Sequence, residues 1–242
     1  MDMKLKIPFE IEVNCSSCAL LKKCMPNGLS NFELSKIDTL VSQRIRIKRG
    51  QDLSGLKNNQ SLSIIRTGYF KTVISTNDGR DQVLGFHMSG DSIGLAGELS
   101  DLYSCRVTAL EDSTVCIVPF SKIEEIANSV NGLHSHIRHL YSIEINRENS
   151  VMLFLGSMNS EERVATFLLK LSASHKERGF SPHELILKMS RYDIASYLGL
   201  KHETVSRTLA KFIKSKLINL NLRELKINNH LALHSLAIDK HP

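Results

Sequence analysis

Three cysteines near the start of this chain, Cys15, Cys18 and Cys24, stand in the pattern C-x2-C-x5-C. A thiolate is a soft ligand, and a short irregular segment can wrap several of them around one centre. Closing such a site takes four soft donors, and two more cysteines, Cys105 and Cys116, lie downstream. Four thiolates suit either zinc or an iron–sulfur cluster, and spacing alone does not choose between them. The context favours reduced thiols. The N-terminus, Met-Asp-Met-Lys-Leu-Lys, lacks the apolar core of a signal peptide, and no apolar run approaches the roughly 18–20 residues of a membrane span. A cytoplasmic protein with no membrane partner is expected, in which cysteines bind metal more often than they pair as disulfides.

A second group of residues carries a different chemistry. Glu203, Ser206 and Arg207 are spaced i, i+3, i+4, so on a helix they project from one face. Arg can donate two bonds to guanine, Glu can accept from the cytosine amino group, and Ser adapts to either. Lys201, Thr204 and Lys211, with Lys214 and Lys216, flank that face at positions suited to phosphates. The residues before it explain how the face would be held. Ser190-Arg-Tyr-Asp193 is a capping-box start, Ile194 and Leu198 with Val205 and Leu209 are apolar anchors, and Gly199 bears the turn between two short helices. This is the form of a helix-turn-helix. Strand-like alternation in Leu217–Leu220 and Glu224–Ile227 adds a wing.

Charge agrees with that placement. Residues 1–159 hold 17 basic and 17 acidic side chains, whereas residues 160–242 hold 14 and 8, so the whole net charge of +6 lies in the C-terminal part. A basic terminal domain on a neutral chain fits a polyanionic partner.

The remaining elements must position these two groups. Residues 1–30 read as an irregular cysteine-rich segment. Residues 31–125 read as a sensor domain of short alternating strands with Gly-bearing turns, the texture of an antiparallel β-roll of the cupin-like double-stranded β-helix kind. A capping-box pattern at Ser121–Glu124 opens a helix. Residues 126–158 read as a long helix region, and 159–242 as the winged helix-turn-helix. The fold class expected is therefore α+β. On the long helix Ile137, Tyr141, Ile145, Met152 and Leu155 form one apolar stripe, with Glu148 among them. That stripe is expected to face a second copy of the chain, although a helix packed on its own roll would show the same pattern. His134, His136 and His139 have poor ligand spacing and read as solvated surface. No nucleophile–base constellation is visible, and no enzyme is expected.

Taken together, the roll, the long helix and a winged helix-turn-helix bearing Glu-Thr-Val-Ser-Arg resemble the CRP/FNR superfamily over nearly the whole chain. Cys15–Cys24, Gly85–Asp91, Glu111–Phe120, Arg178–Pro182 and Ser190–Leu200 are similar to the FNR/ANR branch. The resemblance implies a [4Fe–4S] cluster on three N-terminal cysteines plus one from the roll. The family's distal cysteine stands before an apolar-Pro-Phe sequence, which is Cys116 before Ile117-Val118-Pro119-Phe120. Cys105 is then expected to be a small buried residue. The resemblance further implies an oxygen-responsive homodimer, active under anaerobic conditions as an activator. It would bind double-stranded DNA at an inverted repeat with TTGAT-like half-sites and contact RNA polymerase, for which the turn Asn77–Arg80 is a candidate.

The alternatives are a CRP-like or a structural-zinc regulator that oxygen does not gate. Gly97-Glu98 is reminiscent of a cyclic-nucleotide phosphate cassette. However, Tyr103-Ser104 stands where its Arg-Ser pair would fall and Arg106 is displaced, so no cyclic nucleotide is expected. Two departures bear on the reading helix. Lys201 holds the N-cap position and Lys216 the place of a helix-ending glycine.

Overall fold

The computed structural model describes residues 14–53, 61–94 and 103–238. They form two compact units, divided between Arg147 and Glu148. The first begins with a 3-10 turn at Cys15–Ser17 and the helices α1 (Leu21–Cys24) and α2 (Asn31–Asp38). Ser30 and Glu33 close a reciprocal capping box on α2, and the second carboxylate oxygen of Glu33 accepts from the Asn131 backbone at 2.7 Å.

Seven strands follow: β1 (Gln43–Ile47), β2 (Ser61–Thr67), β3 (Tyr69–Thr76), β4 (Asp81–Met88), β5 (Ser92–Ile93), β6 (Tyr103–Ala109) and β7 (Ser113–Pro119). They make two antiparallel sheets, ordered β1-β7-β2-β5 and β4-β3-β6. Alternation of side chains sorts their residues into two cores. Ile45, Ile47, Ile65, Val115 and Ile117 face inward with Phe70 and Val107 of the other sheet. Leu62, Ile64, Cys116 and Val118 face the opposite way. They pack with α2, with α3 (Phe120–Ala127) and with the start of α4 (Leu133–Ser157). The four-stranded sheet is thus covered on both faces.

The α3 helix starts differently from the sequence expectation. Its N-cap is Pro119, with no side-chain cap, so the Ser121–Glu124 capping box does not form. Proline closes β7 with its φ already at −61°, and the chain turns into helix before Ser121 can serve as the cap.

Where α4 passes β4, a polar cluster fixes it. Arg147 donates to Glu144 at 2.7 Å and to Nδ1 of His87 at 2.8 Å, and stands 3.7 Å from Asp91. Arginine has no acceptor, so Nδ1 of the buried His87 must carry the lone pair. Its Nε2–H then donates to Thr72 Oγ1 at 2.7 Å. Burial first, and then the Arg147 charge, hold the imidazole well below its usual pKa, which keeps it neutral.

In the second unit, α5 (Ser160–Glu177) is capped by Asn159 and Glu162 and buries Val164, Phe167, Leu168 and Leu171. A three-stranded wing, ordered β8-β10-β9, comprises β8 (Glu184–Ile186), β9 (Ile218–Asn221) and β10 (Glu224–Ile227). Between β8 and β9 lie α6 (Arg191–Leu198) and α7 (His202–Lys214), and α8 (His230–Ile238) ends the described chain. The capping box of α6 forms, with Ser190 N–H to Asp193 at 2.9 Å and Asp193 N–H to Ser190 Oγ at 3.0 Å.

Gly199 ends α6 at φ +61°, where a β-carbon would collide with Leu155 Cδ2. Only glycine suits that turn. After α7, Lys216 adopts φ +56°, the left-handed conformation that a terminating glycine would take without strain. Lys216→Gly is expected to raise the stability of this unit by about 1 kcal/mol, seen as a higher denaturant midpoint. An unchanged midpoint would show that the lysine is not strained.

Candidate functional site

Cys15 lies in the 3-10 turn, Cys18 caps it, and Cys24 ends α1. Ser16 pins this turn to the end of α2, its N–H and hydroxyl each donating to Asp38 at 2.9 Å. Cys116 lies mid-strand in β7, paired with Arg44 of β1 on one side and Ile64 of β2 on the other. All four cysteines line one partly open cavity. Its wall is apolar, from Leu21, Met25, Val41 and Ile64, and two cations, Arg44 and Arg66, stand at it. Arg66 is brought there by the extra residue of a β-bulge, where the β2–β7 register shifts between Ile65 and Thr67.

The thiols are strongly affected by this setting. Burial pushes Cys15 up to about 11, opposed by the Arg44 guanidinium, which donates to its sulfur at 3.9 Å. Burial pushes Cys24 up to about 12, reinforced by the sulfurs of Cys18, Cys116 and Cys15. Burial also raises Cys116, again against Arg44. Such thiols ionise only when a positive centre joins them. Among the described residues no three His, Cys, Asp or Glu side chains are placed to hold a single metal ion. The four sulfurs nevertheless line one pocket. Tetrahedral zinc would need them roughly 3.8 Å apart, from its Zn–S distance of about 2.3 Å. A polynuclear centre, ligated at its corners, tolerates wider spacing.

Cys105 is exposed rather than buried, and does not line the cavity. It lies on an edge strand, one pleat beyond the buried Val107, past the reach of the roll's core. His136 also departs from expectation. It is half-buried rather than solvated, and its Nε2 lies 3.0 Å from the Cys24 carbonyl. The places of Arg44 and Arg66 at the cavity, and the contact made by His136, escaped the sequence reading. Their only signal is long-range pairing, which a single sequence does not display.

In the second unit, Glu203, Ser206 and Arg207 are all exposed on α7, while Val205, Thr208, Leu209 and Phe212 are buried behind them. Lys201 is the exposed N-cap, with no side-chain cap bond. Thr204 is half-buried and receives a long 3.5 Å bond from Arg207. Lys211 is joined to Glu161 at 2.5 Å, so a phosphate at this position would compete with a carboxylate.

Residues 162–236 match the Crp-like helix-turn-helix domain, and residues 47–129 match the cyclic nucleotide-binding domain. The chain is 37% identical over 227 residues to the transcriptional regulatory protein btr of Bordetella pertussis, covering 93% of this chain and 94% of that protein. It is 35% identical over 226 residues to the fumarate and nitrate reduction regulatory protein of Escherichia coli K12, covering 93% and 90%. The chain belongs to the CRP/FNR family of transcription regulators. Its fold is also that of FixK2 from Bradyrhizobium japonicum, with a TM-score of 0.69, 28% identity, and coverage of 80% of this chain and 96% of that one.

CRP/FNR regulators bind DNA and are not enzymes, which settles the role of the second unit. The cyclic nucleotide-binding domain match spans most of the roll. Gly97 and Glu98 lie outside the described residues, and Arg106 is paired with Asp81 at 2.6 Å. On α4 of this CRP/FNR chain, Ile137 packs against the roll's second core, whereas Tyr141, Ile145, Glu148, Met152 and Leu155 are exposed. Ile145 at 55% and Met152 at 63% exposure are unusual for such side chains on a helix with buried neighbours. Among the described residues no helix is long and apolar enough to cross a membrane.

Proposed function

We propose that this CRP/FNR regulator is an oxygen-responsive homodimer in which Cys15, Cys18, Cys24 and Cys116 hold a [4Fe–4S] cluster. One observation carries the reading. The four thiols converge on a single cavity, and its wall residues Met25 and Ile64 belong to the same core as Leu133 and Leu140 of α4. Four soft donors lining one apolar cavity fit a cluster. The names of the relatives, regulators of fumarate and nitrate reduction, agree with a role at low oxygen.

When bound, the cluster supplies a redox-labile tie among the four thiolates, which oxygen removes. The protein's own residues do the rest. Cys15, Cys18 and Cys24 anchor the N-terminal segment to Cys116 of the sheet, and Arg44 and Arg66 offset the negative charge gathered there. His136 joins the Cys24 carbonyl to α4, so order in the segment is felt at the helix. The α4 helix then pairs with its copy along Ile137, Tyr141, Ile145, Met152 and Leu155, where Glu148 keeps the pairing marginal. A marginal equilibrium responds strongly to a modest input.

The dimer presents two α7 helices to an inverted repeat with TTGAT-like half-sites. Arg207 and Glu203 read its G·C pair beside Ser206, and Lys201, Thr204 and Lys211 meet the backbone. The exposed turn bearing the Asp78–Arg80 ion pair, 2.8 Å apart, is the surface offered to RNA polymerase.

Anaerobic purification tests the cofactor. A brown protein with about four iron and four sulfide per chain, bleached by air, is expected. A colourless protein that retains zinc overturns the cluster. For the reading helix, Arg207→Ala is expected to weaken binding to the inverted repeat by roughly tenfold to a hundredfold, measured by fluorescence anisotropy. Loss of the same size on unrelated DNA would reassign Arg207 to phosphate.

A further inference from the structure

Among the three reading side chains, Glu203 has an alternative place to point. It stands in the first turn of α7, where the leading backbone N–H groups have no partner in the helix. Lys201 offers them no side-chain cap. A glutamate here is free to fold back onto those donors, which attract it through the helix dipole. In that pose it cannot meet a base.

The structure holds it otherwise. His202 Nδ1 lies 3.3 Å from Glu203 Oε2. The imidazole is itself held, because the Tyr192 ring of α6 lies over it with centroids 4.3 Å apart and planes inclined by 31°. Tyr192 is 67% exposed, so filling a core does not explain its placement. Its ring stacks on His202 and so joins the starts of both helices of the motif beside the reading carboxylate.

We propose that Tyr192 and His202 are positioning residues that set base preference through Glu203. The stack fixes the imidazole, and the imidazole N–H engages one carboxylate oxygen. The other oxygen is left to accept from an exocyclic amino group, that of cytosine in the major groove. Nδ1 carries its proton for this role, so it donates whether the ring is neutral or charged. A glutamate held before binding loses less rotamer freedom on contact, which favours the matched base over the others. The proposal rests on Glu203 being a base reader, and its test separates the two.

The full-length protein, kept anaerobic, is titrated with inverted repeats of TTGAT-like half-sites. Each half-site position is substituted symmetrically, and unrelated duplex serves as the non-specific reference. Glu203→Ala should erase discrimination at one position. His202→Ala and Tyr192→Ala should lower discrimination at that same position by roughly threefold to tenfold, with affinity for unrelated DNA and its salt dependence unchanged. Tyr192→Phe keeps the ring and should keep the wild-type ratio. Adding His202→Ala to Glu203→Ala should cost no further discrimination. Wild-type ratios in His202→Ala and Tyr192→Ala, with the Glu203→Ala effect intact, overturn the proposal and leave Glu203 as a reader. A wild-type ratio in Glu203→Ala overturns both. Equal loss on every duplex, unrelated DNA included, makes His202 and Tyr192 backbone contacts and also overturns it.

Discussion

Cys116→Ser is expected to yield a colourless protein under anaerobic conditions, with iron and sulfide near background. Its affinity for the inverted repeat should fall by roughly a thousandfold, to that for unrelated DNA. The argument is geometric and chemical. Cys116 is the only cavity cysteine contributed by the sheet; the other three come from the segment before β1. Three thiolates on one short segment can gather a centre, but they cannot tie that segment to anything else. A serine hydroxyl fits the same space, yet it is a harder and far weaker ligand. Cys105→Ser is the control. It lies exposed on the other sheet of the roll, and its substitution should leave colour, iron content and DNA affinity unchanged. The opposite outcome for the two variants would exchange their roles.

The choice between those two cysteines shows what a sequence can reveal and where it stops. Both lie in residues 31–125, read from the sequence as the β-roll. However, the sheet that bears Cys116 is covered on both faces, so Val115, Cys116, Ile117 and Val118 make a continuous apolar run. Period two then says that Cys116 and Val118 share a side, but not which side holds the cavity. Resemblance to the family pointed to Cys116, and Cys116 lines the cavity. The burial expected for Cys105 was mistaken because strand ends outrun the core, and a core's extent is a tertiary fact.

The helix-turn-helix was legible almost to the residue, because its determinants are local. A reciprocal cap at Ser190 and Asp193, a left-handed Gly199 and four apolar anchors all fall within about twenty residues. The Ser121 pattern looked equally good and failed, since Pro119 two residues earlier had already begun the helix. Arg44 reaches the cavity through strand register, Arg66 through a bulge, and His136 through a contact spanning more than a hundred residues. None of these leaves a mark in periodicity or spacing.

Glu148→Ala is expected to give a regulator that dimerises and binds its site in air. Glu148 falls on α4 between Ile145 and Met152, and all three are exposed. Arg147, the adjacent cation, is already engaged by Glu144 and His87 and is not available to neutralise it. In a parallel two-fold pair each Glu148 approaches its own copy. Two like charges about 6 Å apart at an intermediate dielectric repel by roughly 1–2 kcal/mol, or about tenfold in the dimerisation constant. Removing both carboxylates therefore moves a marginal equilibrium towards the dimer without the cysteine tie. Sedimentation in air reads this directly, and salt supplies an independent check. Screening weakens repulsion, so the wild-type dimer should strengthen as ionic strength rises, whereas Glu148→Ala and the nearly isosteric Glu148→Gln should lose that dependence. A wild-type salt response in both variants would place the two Glu148 side chains apart. The switch would then have to lie in the apolar contacts of α4 rather than in this charge.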